Sequence, residues 1–322
     1  MFFIFGQRVI NQKCSFLVWP CPMYSVIPTT NVDTVMVAEQ KHDEEVVFHG
    51  STQAVKQFVG FFDIMDTSSA VHCNVKYTKT SIQVFALYHY GAVCIVTTIG
   101  RNMFSAYSCP STPLVSTYNL NLLAKQLRTV SKSKPQSLSL SNDYKGVDLV
   151  IQAYKKNGTI ESTAMITPLS ESEQVEELDT TEFAYEIEIQ VSCKDLGEKL
   201  DAMPPLFEIS VNTGNSRIEF KGIEDQCKLT MTIELPDDVN TKIKNYDDIA
   251  NFRARFVKSY LKPLIKGCKN PMTVSLGLKQ KAPLFARFLY QDSTDPTKSD
   301  STEVCMFFAS RIEQDDDEQY EG

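Results

Sequence analysis

The feature that most limits the possible folds is an internal duplication of a unit made of helices and strands. In each copy a helix precedes several strand-like runs, and a second helix ends near a proline that is followed by two more strands. Equivalent residues keep separations of 136, 136 and 138, for Pro135 and Pro271, Leu140 and Leu276, and Met65 and Met203. The duplication predicts an α+β fold of two similar domains, each with antiparallel sheets and two helices.

The four helices are predicted from the spacing of their apolar residues. They span residues 51–65, 118–131, 192–203 and about 259–268. Ser51 is the expected N-cap of the first helix. Pro263 falls in the first turn of the last helix, where a missing N–H group costs little. Both copies are therefore predicted to carry their two helices at equivalent positions.

Length and composition agree with two globular domains. A chain of 322 residues with 43% apolar residues is long enough to form two hydrophobic cores. Residues 170–182 contain six acidic residues and no basic one, so they are predicted to form an exposed linker. The predicted organisation is an N-terminal extension at 1–44 that is expected to be disordered, a first domain at 45–165, a linker at 166–182, a second domain at 183–313 and an acidic tail at 314–322.

Several classes of protein are disfavoured by the sequence. It contains no run of about 18 apolar residues, so no membrane span is predicted. It lacks nucleotide-binding glycine loops, the nucleophile elbow of hydrolases and the H-E-x-x-H motif, so we predict neither an enzyme nor a bound cofactor. His72 and Cys73 are adjacent and point to opposite faces of a predicted strand, so no metal site is predicted. The nine scattered cysteines indicate a reducing compartment.

Basic residues are concentrated on one side of two predicted helices, although the net charge of the chain is -8. Residues 251–269 contain six Lys or Arg and no acid. A solvated helix face would explain one basic stripe, but two stripes at equivalent positions favour a surface for DNA phosphates that reads no bases. The stripes are Lys125, Arg128 and Lys132 in the first copy and Lys262, Lys266 and Lys269 in the second, and Lys56 marks the first helix in the same way.

Three segments of the chain resemble the eukaryotic and viral sliding clamps, the proliferating cell nuclear antigen family. Met165 to Phe183 is similar to the family's linker pattern, M-x-x-x-L…L-x-x-x-E-[YF]. VSLGLKQKAPLFARFLY at 274–290 is similar to the family's last hairpin, and FFASRIEQDDDE at 307–318 to its terminal strand and acidic tail. Ser310, Glu176 and the acids of the helix at 192–203 depart from the family pattern, which weakens the expectation that this helix contacts DNA.

The resemblance implies a DNA sliding clamp, a processivity factor for DNA polymerase that acts in replication and DNA repair. Such a protein forms a homotrimeric ring around duplex DNA, is opened by a clamp loader and recruits proteins through clamp-binding peptides. Here 159–166 and 227–235 would join neighbouring chains. The basic residues of the preceding stripes would face DNA. Clients would dock in a pocket formed by Tyr77, Val175, Leu178, Pro283, Phe307 and Ile312.

Two alternatives retain the fold and change the assembly. One is a subunit of the heterotrimeric checkpoint clamp, and the other is a viral polymerase accessory factor that binds DNA without forming a ring. The short C-terminal segment is more similar to the replication clamps than to the checkpoint subunits. The expected location is the nucleus or a viral replication compartment.

Overall fold

The structure is a computed structural model of the chain and describes twelve parts of it. These are residues 48–66, 72–142, 148–170, 175, 185, 188–212, 217–223, 229–235, 252–269, 273–279, 282–290 and 302–311. The predicted N-terminal extension, most of the linker and the acidic tail lie outside the described residues. The predicted domain boundaries stay predictions. Below, the first half means residues 48–166 and the second half means residues 188–311.

Four α-helices occur in the described residues close to their predicted positions. They are α1 (Val55–Met65), α2 (Leu120–Ser131), α3 (Cys193–Ala202) and α4 (Lys262–Gly267). The prediction that Ser51 is the N-cap of the first helix is wrong. Ser51 lies in a strand and pairs with Ser139, so the helix begins only after the chain has left that sheet.

The local sequence sets the starts of the other helices. Asn119 and Ser192 cap α2 and α3, because their side chains accept hydrogen bonds from first-turn N–H groups at 2.9 and 3.3 Å. A 3₁₀ turn at Lys258–Leu261 precedes α4. Pro263 occupies the first turn of α4, as predicted, where its ring removes no helical hydrogen bond. These caps explain why the predicted and observed boundaries differ by few residues.

The first half contains nine strands and the second half contains eight among the described residues. The first nine are β1 (His49–Thr52), β2 (His72–Tyr77), β3 (Ser81–Tyr88), β4 (Val93–Gly100), β5 (Ala106–Ser108), β6 (Leu114–Asn119), β7 (Ser137–Asn142), β8 (Leu149–Tyr154) and β9 (Ile160–Ile166). The others are β10 (Glu188–Ser192), β11 (Leu206–Asn212), β12 (Arg217–Gly222), β13 (Thr230–Glu234), β14 (Arg253–Val257), β15 (Thr273–Gly277), β16 (Leu284–Leu289) and β17 (Glu303–Phe308).

The two halves repeat the same strand order. In the first half the neighbours are β4-β3-β2-β6 and β1-β7-β8-β9, and in the second half they are β13-β12-β11-β14 and β10-β15-β16-β17. β5 is an addition at the edge of β1 and has no counterpart among the described strands. Neighbouring strands pair antiparallel in both halves. The predicted α+β class, with duplicated antiparallel sheets and two helices per half, is therefore confirmed.

One strand pair joins the halves. β17 of the second half pairs with β4 of the first, with Phe308 opposite Val93, so an eight-stranded sheet runs through both halves. The counterparts of β17 and β4 are β9 and β13. Each of these lies at the edge of its sheet, and no described strand pairs with its outer side. Among the described strands, β9 and β13 therefore present two open edges equivalent to the two edges that meet inside the chain.

All four helices pack on one face of the sheets and share a hydrophobic core with them. Phe58, Leu123, Leu196 and Leu264 are buried there, one from each helix. α4 lies so close to β16 that a Cβ atom added to Gly267 would come within 2.7 Å of the Phe288 ring. This close approach fixes the helix against the sheet and leaves its other side to solvent.

Candidate nucleic-acid interface and partner-binding surface

The helices form one continuous layer across both halves. α1 packs against α2 and α4, and α3 packs against α4, so the order across the layer is α2, α1, α4 and α3. α2 and α4, which carry the two predicted basic stripes, are therefore parts of the same layer. Their apolar sides enter the core, so their polar sides face outward together.

Six of the seven predicted DNA-binding residues are exposed on this layer, and five of these are lysines. We call them the exposed lysines, and they are Lys56, Lys125, Lys132, Lys262 and Lys269. None of them forms an ion pair with another described residue. Each presents an ammonium group that could contact an anion without giving up an ion pair with a described residue.

Arg128 is held by Asp63 of α1 and by Asp66, the residue that follows this helix. Its Nε lies 3.4 Å from a carboxylate oxygen of Asp63, and its guanidinium group also forms an ion pair with Asp66. Nε donates a hydrogen bond to the carbonyl of Ala124 at 3.2 Å. The side chains of Arg128 and Asp63 are 44% and 46% exposed, although the Asp63 oxygen in this contact is itself buried. Arg128 is thus available to solvent but already paired.

Lys266 caps the end of α1. Its Nζ donates hydrogen bonds to the carbonyls of Asp66 at 2.6 Å and Asp63 at 3.3 Å. Burial lowers the pKa of Lys266, and the charges of Asp66 and Asp63 oppose that shift. Burial also raises the pKa of Asp63, while Arg128 acts in the opposite direction. Lys266 therefore links α4 of the second half to α1 of the first.

The outward side of α3 carries both signs of charge. Asp195, Glu198 and Asp201 are exposed there, beside exposed Lys194 and half-buried Lys199. A phosphate near this helix would meet acids as well as cations. The departure from the family pattern noted in the sequence is thus also present on the surface of the structure.

The face of the eight-stranded sheet that points away from the helices carries a second apolar cluster. We call it the outer apolar cluster, and its buried members are Phe85, Cys94, Phe285 and Phe307. These residues come from four strands, and alternation places them opposite the main core. Val175 and Tyr185 pack over it. The cluster therefore lies at the junction of the two halves, beneath part of the predicted linker.

Asn74 fixes the linker to this face. Its side-chain amide donates to the carbonyl of Val175 at 2.6 Å, and its oxygen accepts from the N–H of Val175 at 3.0 Å. Thr117 Oγ1 donates to the same Asn74 oxygen at 3.0 Å. Asn74 thus pairs with the linker backbone as a neighbouring strand would, which sets the position of Val175 over the sheet.

Tyr185 covers the other side of the cluster. Its ring stacks on Phe285 with 5.1 Å between centroids, and its hydroxyl donates to the carbonyl of Pro283 at 2.5 Å. The ring also lies over Gly277, where an added Cβ atom would come within 2.7 Å of it. A residue with a side chain at position 277 would lift Tyr185 from the sheet, so glycine is needed for this contact.

The predicted client pocket is only partly assembled from the residues proposed for it. Val175 and Phe307 belong to the outer apolar cluster, and Pro283 contributes the carbonyl that Tyr185 contacts. Tyr77 does not line this surface. It is 1% exposed and packs in the main core against Phe48, with 4.3 Å between ring centroids, because its position in β2 points it toward the helices. Leu178 and Ile312 lie outside the described residues.

Sequence reasoning missed Asn74, Phe85, Phe285 and Tyr185. Asn74 is a polar residue inside the strand HCNVKY. A buried amide in such a run indicates that its side chain is hydrogen-bonded. In β3, β4, β16 and β17, apolar residues occupy both faces of the strand, and this pattern indicates that both faces are buried. These signals indicate a second covered face but do not say what covers it.

No group of three or more His, Cys, Asp or Glu residues is placed to hold a metal ion in the part of the chain that the structure describes. None of the described helices has the length and apolar character needed to cross a membrane.

Two equivalent halves, with helices on one face and antiparallel sheets that leave an edge open at each end, define the sliding-clamp fold. The crystal structure of Proliferating Cellular Nuclear Antigen from Entamoeba histolytica has this fold. It matches with a TM-score of 0.62 and 15% sequence identity, over 83% of this chain and 100% of that chain. No protein-family model matches the sequence, and no curated protein matches it. At this identity the likeness establishes the fold, and function has to be argued from the surfaces.

Proposed function

We propose that the protein is a DNA sliding clamp, a polymerase processivity factor that encircles duplex DNA as a homotrimeric ring. The observation that carries the proposal is the junction of β17 with β4. Because β9 and β13 are the counterparts of these strands, β9 of one chain and β13 of the next can form the same junction. Repetition of one junction inside and between chains gives a head-to-tail ring.

The edge strand β9 has the surface expected of such a junction. Ile160 and Met165 are 53% and 60% exposed, although both are large apolar residues. Exposed apolar residues on an unpaired edge favour pairing with another chain over exposure to water. β13 presents Thr230 and Glu234 to solvent on its side of the proposed contact. This supports the interface strands that the sequence predicted.

In the ring, the helix layer faces the DNA. The exposed lysines contact phosphates one at a time and exchange them without reading bases, so the complex is mobile and independent of sequence. Retention then comes from closure of the ring. Closure requires a partner that opens it, so the proposal includes a clamp loader.

DNA polymerase and other proteins with clamp-binding peptides dock on the outer apolar cluster in this proposal. A peptide that packs an apolar side chain against half-buried Val175 and Tyr185 would extend the cluster, in which Phe285 and Phe307 are already buried beneath them. The protein itself contributes no catalytic step. The proposed place of action is the nucleus or a viral replication compartment.

Replacing Asn74 by alanine is expected to weaken client binding. The change removes both hydrogen bonds to Val175, so the linker loses its fixed position over the outer apolar cluster. We expect peptide affinity to fall about tenfold and unfolding free energy to fall by about 1–3 kcal/mol. Calorimetric titration of a clamp-binding peptide and denaturant unfolding measure the two effects.

The matched control is Thr117→Val, which removes only the hydroxyl that donates to Asn74. It is expected to lower stability by about 1 kcal/mol and to leave peptide affinity within about twofold. Equal peptide affinities for the wild type and Asn74→Ala would contradict the role given to the linker.

Topological retention tests the proposed function directly. A linear duplex is fixed to a bead at one end, the protein is allowed to thread over the free end, and that end is then blocked with a bulky protein. The expected result is retention through a wash at about 0.5 M salt, which screens phosphate contacts, followed by release when a restriction enzyme cuts the duplex. Equal loss from open and blocked duplexes would exclude a closed ring and favour the non-ring alternative.

A further inference from the structure

Asp63, Asp66, Arg128 and Lys266 form one group at the surface of the helix layer. We call it the neutral cluster, because its two acids and two cations carry no net charge. Arg128 pairs with both carboxylates, and Lys266 donates to the backbone carbonyls of the same two residues. The cluster joins three helices, α1 and α2 from the first half and α4 from the second. It therefore sits where the two basic stripes meet.

A phosphate gains little from this cluster. To contact Arg128, it would have to draw the guanidinium group away from Asp63 and Asp66, and both carboxylates would then face the phosphate. Lys266 would have to give up two hydrogen bonds that cap α1, one of them 2.6 Å long. The exposed lysines carry no such cost, since none of them forms an ion pair with a described residue.

We propose that Asp63 and Asp66 limit how tightly the helix layer holds duplex DNA, because their carboxylates keep Arg128 from its phosphates while their backbone carbonyls hold Lys266. The inference rests on the proposed function and changes its list of DNA contacts, because only the exposed lysines act as phosphate ligands in the wild type. Fewer contacts lower the resistance to movement along the duplex. The two acids thus favour mobility over affinity at the centre of the layer.

The test is the salt dependence of duplex binding, measured by fluorescence anisotropy on a labelled duplex. Each phosphate contact contributes about 0.9 to the slope of log K against log salt concentration. Asp63→Asn combined with Asp66→Asn releases Arg128 and leaves the backbone carbonyls that hold Lys266, so it is expected to steepen the slope by about 1 and to tighten binding about tenfold at about 0.05 M salt. The control is Glu198→Gln with Asp201→Asn, which makes the same charge change on α3 and is expected to tighten binding less than about threefold.

A double-mutant cycle identifies the cation that is released. Arg128→Gln alone is expected to change the affinity less than about twofold, whereas in the Asp63→Asn, Asp66→Asn background it should remove most of the gain. If the double asparagine variant does not fold, the test is a comparison of Arg128→Gln with Lys125→Gln in the otherwise unchanged chain. Arg128→Gln is then expected to lower the affinity less than Lys125→Gln. An equal loss of affinity from Arg128→Gln and Lys125→Gln would overturn the inference.

The outcomes separate this inference from the proposed function. If the wild-type protein does not bind duplex DNA, both fail. If the wild type binds DNA and is retained on end-blocked duplexes, but the α1 and α3 variants tighten binding equally, only the inference fails, because net charge alone then accounts for the change.

Discussion

Lys125→Glu combined with Lys262→Glu is expected to weaken duplex binding by at least ~100-fold at about 0.1 M salt. Each change removes a phosphate contact and adds a charge that repels DNA, and in a homotrimer every chain carries both. The two residues lie on α2 and α4, so the reversal affects both halves of the layer. Anisotropy with a labelled duplex and polymerase processivity on a primed template measure the loss. Because both side chains are exposed, the unfolding temperature should stay unchanged.

Lys266 is left unchanged in this variant because its side chain is hydrogen-bonded to the end of α1. Its replacement would remove the hydrogen bonds to α1 together with a charge, so lost stability and lost DNA binding could not be told apart. The control is Lys155→Glu with Lys156→Glu, which makes the same charge change at exposed positions outside the helices. We expect this control to bind duplex within about threefold of the wild type. Equal weakening by both pairs would show that net charge, and not the helix layer, governs binding.

If the proposed ring forms through β9, Ile160→Asp combined with Met165→Asp is expected to convert it to single chains. Fully burying an Ile or Met side chain contributes about 1.5–3 kcal/mol, and these two residues are 53% and 60% exposed in the single chain. Their loss therefore costs about 3 kcal/mol at each junction, or roughly a hundredfold in association, before the cost of burying a carboxylate is added. Light scattering of the purified protein measures the assembly, and the end-blocked duplex measures retention.

The control for this second variant is Val115→Asp. Val115 is 44% exposed on β6, which is also an edge strand, but β6 is not a counterpart of the strands that meet at the junction of the halves. We expect Val115→Asp to remain assembled. A wild-type protein that is itself a single chain or a dimer would favour the non-ring accessory factor, and assembly only with other chains would favour a checkpoint-clamp subunit.

The two predictions draw on different parts of the molecule. The lysine variant leaves the sheet edges intact, and the β9 variant leaves the helix layer intact. A sliding clamp requires both surfaces, so retention on an end-blocked duplex should fail in each variant while stable folding persists in both. Retention of either variant would identify which surface the proposal places wrongly.

The contacts of the linker region could not be predicted from the local sequence. The resemblance placed the aromatic end of the linker at Phe183, which lies outside the described residues. Tyr185, two residues later, is the ring that stacks on Phe285 and covers the outer apolar cluster. The position of the Tyr185 ring depends on Gly277, more than ninety residues away in sequence, because a glycine has no side chain and leaves room for the ring. Such a contact cannot be found from residues near Tyr185 alone.

By itself, the sequence determined the class of fold. Apolar spacing located the four helices of the described residues, and the repeated order of elements predicted the duplicated antiparallel sheets, because helical and strand periodicities are local properties of the chain. It also placed Pro263 correctly in the first turn of α4. The basic stripes were visible for the same reason, since residues a few positions apart on a helix share one side.

Only the tertiary structure decided which of those charges remain available. Asp63 and Lys266 lie about two hundred residues apart, and nothing near either residue shows that α4 packs against the end of α1. The side of β2 on which Tyr77 lies was likewise settled by packing in the main core. Ion pairs and burial depend on distances between elements, and the folded arrangement of the two halves sets those distances.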